Sequence, residues 1–272
     1  MSTMAVGSAA LVLAATGIAV AQSGKGKITA GPGLEIRREA LKITRAFAGP
    51  REARSAAFAA RPPYGRVAGI STKRLAGFPL EGSAFALLST GNVLSADDRN
   101  TRGDLGVNAG GPVIRGARDV TIYRVNLTVP RNRNCLSFRF KFLTEEFPEF
   151  VNEEFNDGFI AEVDRTTWDT TPRDPNNPTI TAPDNFAADA DGNLISVNSV
   201  GDTSLTASRA KGTTYDGATR RLRASTRITP GRHRLYLSLF DQGDRQFDSA
   251  VFVDKLTYTR TGSCDSGAVI DN

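Results

Sequence analysis

Between Glu145 and Asp157 the chain carries six carboxylates in thirteen residues, interleaved with Phe147, Phe150 and Phe155. A second acid-rich stretch, Asp241 to Asp248, repeats the mixture on a smaller scale. Carboxylates packed this closely repel unless a cation or solvent separates them. Calcium suits such loops, because it takes about six to eight oxygens from carboxylates, amides and backbone carbonyls in flexible segments. The competing reading has these acids capping turns and pairing with the abundant arginines. Zinc is disfavoured by the lack of any Cys/His cluster, His233 being the only histidine.

Other residue sets point to other chemistry. Glu162 and Asp164 stand on one face of an alternating run, and paired carboxylates are what a jelly-roll glycoside hydrolase needs. The familiar pattern wants another acid three residues on, where Thr167 stands. No Ser-His-Asp arrangement or nucleophile elbow is present. Trp168 and Tyr215 are the candidates for stacking on sugar rings, as in a carbohydrate-binding module, but packing inside loops is the expected role of both. Asp189 to Asn193 looks like the start of a calcium loop, but its twelfth position is Val200 rather than Glu, so a hairpin turn explains it as well.

The elements that must position these residues are strands. Leu136, Phe138, Phe140 and Phe142 alternate with Ser137, Arg139 and Lys141, a period of two that predicts a half-buried strand leading into the first acidic loop. Phe159 to Val163 is the strand that leaves it. Further runs predict strands at 84–88, 121–129, 194–200, 222–228, 235–239 and 250–258. Residues 48–65 carry little pattern. Seven to nine antiparallel strands with long loops make an all-β, jelly-roll-like β-sandwich. Leu34 to Phe47 shows Ile36, Ala40, Ile43 and Phe47 at helical spacing, a short amphipathic helix expected to dock on its own domain.

Residues 1–21 are uncharged and apolar and end Ala19-Val20-Ala21, a small-x-small cleavage pattern, so they read as a signal peptide. The two cysteines, Cys135 and Cys264, agree with export, where a lone pair closes a disulfide. Net charge is +5, with the excess of Lys and Arg gathered in residues 22–74. No aromatics interleave those charges, so a solvated basic arm is expected and no nucleic-acid partner. Residues 22–65 read as a basic linker plus the helix, 66–262 as the β domain and 263–272 as a C-terminal tail.

Three separated motifs resemble the choice-of-anchor L domain family: FRFKFLTEEFPEFVNEEFNDGF from Phe138, LLSTGNV at 87–93, and YDGATRRL at 215–222 with LFDQGDRQFDSAVFVDKL at 239–256. Thr144, Phe147 and Phe150 stand where the family pattern has Ser and Tyr. The resemblance implies an exported or surface-attached bacterial β domain without enzymatic activity. It carries over the positions Glu145, Glu146, Asn156, Asp157, Asp241, Asp244 and Asp248, which are the candidate ligands for Ca2+. The expected function is a secreted or cell-surface domain for binding, adhesion or structural presentation. Its partner would be an extracellular or cell-envelope ligand such as a polysaccharide, with membrane contact only through an uncleaved signal segment.

Overall fold

The computed structural model describes residues 28–30, 36–101, 106–170 and 179–271. The expected signal peptide lies outside these residues. In chain order the strands are β1 (Ile28–Ala30), β2 (Ala53–Ala60), β3 (Ala68–Ser71), β4 (Phe85–Ser89), β5 (Arg118–Val129), β6 (Cys135–Thr144), β7 (Gly158–Val163), β8 (Ile195–Ser196), β9 (Gly217–Ala218), β10 (Leu222–Arg227), β11 (Gly231–Asp241), β12 (Ser249–Thr259) and β13 (Gly267–Ile270). The helices are α1 (Ile36–Arg45) and the single turn α2 (Ala207–Ala210).

These strands form two antiparallel sheets. The larger runs β1-β3-β4-β12-β6-β10-β13, with β9 added beside β6, and the smaller runs β2-β5-β11-β7-β8. Eight strands form the frame: β4, β5, β6, β7, β8, β10, β11 and β12. Numbered one to eight in that order, they lie as 1-8-3-6 in one sheet and 2-7-4-5 in the other. This double crossing is the jelly-roll order, and the expected all-β sandwich with a short N-terminal helix is what the chain forms. The core lies between the sheets. Leu136, Phe138, Phe140 and Phe142 of β6 meet Leu235, Leu237 and Leu239 of β11, with Tyr123, Val125 and Leu127 of β5 and Val251 and Val253 of β12.

Four details differ from the expectations. Ala53–Ala60 is a full strand on the edge of the smaller sheet, so the sandwich takes in residues before 66. Alanine dominates this strand on both faces and leaves no alternation to read. Ile28–Ala30, inside the expected flexible linker, pairs with β3. The C-terminal tail contributes β13, paired with β10. The run 194–200 yields only the two-residue β8.

Helix α1 docks on the domain, as its apolar spacing demands. Ala40 and Ile43 are buried with Phe47 against β2 and β5. Tyr123 fastens it from the core side. Its hydroxyl lies 2.7 Å from Thr44 Oγ1 and also donates to the Ala40 carbonyl. Tyr123→Phe is expected to lower unfolding stability by about 1–2 kcal/mol, because the Ala40 carbonyl and Thr44 lose a buried partner. The urea midpoint reads this directly.

A candidate cation-holding corner between two acidic loops

At one end of the sandwich four strand ends converge. Strand β6 ends at Thr144 and β11 ends at Asp241, while β7 begins after Asp157 and β12 begins after Asp248. The inward parity of Leu235, Leu237 and Leu239 continues to Asp241, so its carboxylate enters the space between the sheets. The register of β11 on β5 shifts between Leu239 and Asp241. The extra residue is on β5, and within this bulge Asp119 adopts φ +42°, a left-handed conformation uncommon for a side-chain-bearing residue.

The first acidic loop divides into two sets. Glu149, Glu153 and Glu154 face solvent. Glu145, Glu146 and Asp157 are turned inward, each exposed by 1% or less, beside Asp241 at 1% and Asp248 at 8%. The phenylalanines explain the division. Phe150 packs on Phe155 and on Phe247 of the second loop, each with ring centres 5.2 Å apart. An aromatic seam thus zips the two loops together on the outside and screens the acids beneath from water.

Two of the acids are satisfied by hydrogen bonds, one of which joins the sheets. Asp157 Oδ2 accepts from Ser249 Oγ at 2.7 Å and its Oδ1 from the Gln242 amide at 3.1 Å. Asp248 accepts from the Asn92 amide at 3.1 Å and the Val107 amide at 2.9 Å. Its carboxylate lies against the backbone of Gly91, where an added Cβ would fall 2.0 Å from Oδ2. The others are less well met: Thr214 and Asp216 lie beside Glu145, and Thr90 and Asp157 beside Asp241, but not in hydrogen-bond geometry. Both oxygens of Glu145, both of Asp241, one of Glu146 and both ends of the Gln242 amide are buried without a hydrogen bond. Among the described residues, the carboxylate here that forms an ion pair is Asp119, with Arg245 at 2.5 Å.

Burial and mutual repulsion disfavour the ionised forms of these acids and raise their pKa values. The Glu145 carboxyl is pushed up to about 9, first by burial and then by Asp216 and Asp248. Asp248 rises to about 7, again first by burial, with the Val107 and Asn92 amides pulling the other way. Glu146, Asp157 and Asp241 also rise, burial being the leading cause for each, with Asp157 adding repulsion to both Glu146 and Asp241.

Of the seven expected ligand positions, five are brought together in this corner: Glu145, Glu146, Asp157, Asp241 and Asp248. Asp244 stands at its rim, near enough to raise Glu146 and Asp157, and accepts from the Gln246 amide. Asn156 is elsewhere engaged, its side-chain oxygen accepting from the Asn198 amide at 3.1 Å. Asp119, Asp216 and Gln242 join the corner without having been singled out, although Asp216 and Gln242 lie inside the quoted motifs. Among the described residues no three His, Cys, Asp or Glu side chains are spaced to hold a metal ion as they stand.

The alternative sites are corrected by burial. Trp168 is fully buried, stacked on Phe240 at 4.7 Å and donating to Ser238 Oγ at 3.1 Å, so it offers no face to a sugar. Tyr215 is also buried, at 3% exposure. Glu162 is sealed at 0% exposure, and one oxygen accepts from both the amide and hydroxyl of Thr167, at 2.7 and 2.6 Å. Asp164 turns outward to His233 Nδ1 at 2.8 Å, so the two acids do not face a common cleft. Asp189 closes a hairpin turn through the Asp191 and Asn193 amides.

The stretches that carried the family resemblance all meet at this corner: 87–93 through Thr90 and Gly91, 144–157 through the buried acids, 215–217 through Asp216, and 241–249 through Asp241, Asp248 and Ser249. The choice-of-anchor L domain model matches residues 69–259. The chain belongs to this family. Membership implies a surface or secreted protein and suggests a non-catalytic domain. Among the described residues no helix is long and apolar enough to cross a membrane. No curated protein matches the choice-of-anchor L chain. Among solved structures, TmCBM61 in complex with β-1,4-galactotriose is similar at 8% identity over 80% of this chain and 94% of that one, with a TM-score of 0.31. The enzymatically active domain of Bacteriophage CBA120 tailspike protein 4 is similar at 9% identity over 79% of this chain and 19% of that one, with a TM-score of 0.26. Likeness at these scores carries no argument about ligand or activity.

Proposed function

We propose that this choice-of-anchor L domain is an exported, non-catalytic binding or presenting module whose two acidic loops are joined by a calcium ion. One observation carries the calcium reading: Glu145 and Asp241, each 1% exposed, have no donor in hydrogen-bond geometry on any of their four carboxylate oxygens. A buried, unpartnered carboxylate is costly in either charge state, since the neutral acid still leaves polar atoms unmet. A hard cation relieves both problems at once. Calcium accepts irregular sets of oxygens, so Glu145, Glu146, Asp241 and the Gln242 side-chain oxygen would need only to draw inward onto it. Ion binding would then lock the aromatic seam and the ends of both sheets.

Export is supported by the signal-like residues 1–21 and by the Cys135–Cys264 disulfide, which belongs to an oxidising compartment. Calorimetric titration of the chelator-treated protein with Ca2+ tests the reading. Saturable heat that disappears in Asp241→Asn is the expected result. No heat, together with an unchanged melting temperature at millimolar Ca2+, rejects it.

A further inference from the structure

The outer face of the larger sheet holds a second, unrelated constellation near the start of β6, away from the carboxylates that follow its end. Register places Ser225 of β10 opposite Ser137 of β6, and Ser137 opposite Thr257 of β12. One row on, Arg223 stands directly opposite Arg139. Like charges at facing positions of an antiparallel pair repel. Asp271 relieves Arg139, at 3.0 Å, but its other oxygen is taken by Arg221. Arg223 is exposed and has no acidic partner among the described residues. A third cation, Lys255, arises where the β12 register shifts between Asp254 and Thr257, and its φ of +54° is unusual for a side-chain-bearing residue. Bulges re-aim side chains in this way, and strain of this kind is retained where the surroundings enforce it.

These rows floor a groove of about 980 Å3. The segment after β12 forms its wall, tethered by the Cys135–Cys264 disulfide and by Ser225 Oγ donating to the Asp265 carbonyl at 2.8 Å. Asp265 is the one acid among its lining residues, against Arg139, Arg223 and Lys255. The aromatic that lines it, Tyr258, has its hydroxyl engaged by the Glu52 carbonyl at 3.0 Å.

We propose that this groove binds an acidic polysaccharide. Arg223 and Lys255 would take sugar carboxylates, Arg in the forked geometry that fits them, and the Ser225–Ser137–Thr257 row, whose hydroxyls already bond Asp265 and one another, would accept hydrogen bonds from sugar hydroxyls. A row of aromatics for stacking bases is lacking, which favours a glycan over a nucleic acid. The inference deepens the reading of the domain as an exported binding module, but it does not depend on calcium.

The test uses the whole chain and a short oligogalacturonate, titrated at about pH 6 with a chelator present so that the acidic corner stays protonated and metal-free. Neutral galacto-oligosaccharide and a short single-stranded DNA serve as comparison probes. The uronate chain is expected to bind, more weakly as salt rises, and the neutral chain not to bind. Arg223→Ala, and Lys255→Gly, which suits the positive φ, should each weaken binding about tenfold without lowering the melting temperature. Arg232→Ala, on β11 of the other sheet, should leave binding unaltered. Three results would each overturn the proposal: no uronate binding by the parent protein, equal weakening by Arg232→Ala, or tighter binding to DNA. Calcium heat in the separate titration survives or fails independently of all three.

Discussion

Freed of divalent cations, the protein is expected to unfold at a lower urea concentration at about pH 8 than at about pH 5, by an amount worth on the order of a few kcal/mol. Glu145 rises from 4.5 to about 9 and Asp248 from 3.8 to about 7. Below the lower values both folded and unfolded chains hold these protons, and the contribution is fully present. As pH rises, the unfolded chain releases its protons while the folded corner must keep them or bear buried charge, so stability falls across the window. Glu146, Asp157 and Asp241 act in the same sense. Lys141 works the opposite way, since burial lowers its ammonium to about 8, but it begins to contribute only as pH passes that value. Asp241→Asn removes one titrating acid while keeping the side chain's shape, so it should flatten the profile and be more stable than the parent at pH 8 in chelator. A profile that instead rises between pH 5 and pH 8 would mean that these carboxylates are ionised and paired in the fold.

Opening the Cys135–Cys264 bond should cost about 3–5 kcal/mol, whether by reduction or by Cys264→Ser. The bond spans 129 residues of sequence and ties the first residue of β6 to the segment between β12 and β13. Without it the unfolded chain regains the freedom of a long loop. In the folded state β13 would be held by its short pairing with β10 and by Asp271 on Arg139 and Arg221. Urea unfolding with and without reductant gives the number, and an unchanged midpoint contradicts it. The same variant should weaken uronate binding, because the groove loses its wall.

Alternation made most of the frame legible. Strands β5, β6, β7, β10, β11 and β12 each bury one face and expose or cover the other, and period two survives in the sequence. Strand β2 was hidden because Ala53, Ala56, Ala57 and Ala60 are small and apolar wherever they point. Strand β13 was hidden because four residues are too few to show a period. At the site, the convergence of the two acidic loops was legible, while the sorting of their acids was not. Nothing in the order of Glu145, Glu146, Glu149, Glu153 and Glu154 says which turn inward, because a loop has no period. Phe150, Phe155 and Phe247 decide it by closing over one side. Asp119 stayed invisible because its role rests on a bulge between β5 and β11, a product of long-range register. Sequence alone left Trp168 and Tyr215 without named partners, because Ser238 and Phe240, which hold Trp168, and most of the buried cluster that takes in Tyr215 are distant in sequence.

Whether a cation joins the two loops is decided by anomalous diffraction from crystals grown in calcium at about pH 8, where the empty corner would carry its greatest electrostatic strain. The expected result is a strong anomalous peak enclosed by Glu145, Glu146, Asp241 and the Gln242 side-chain oxygen, with the oxygens at roughly 2.3–2.6 Å from it. A corner without a peak, in which the carboxyls bond to one another through shared protons, would contradict it.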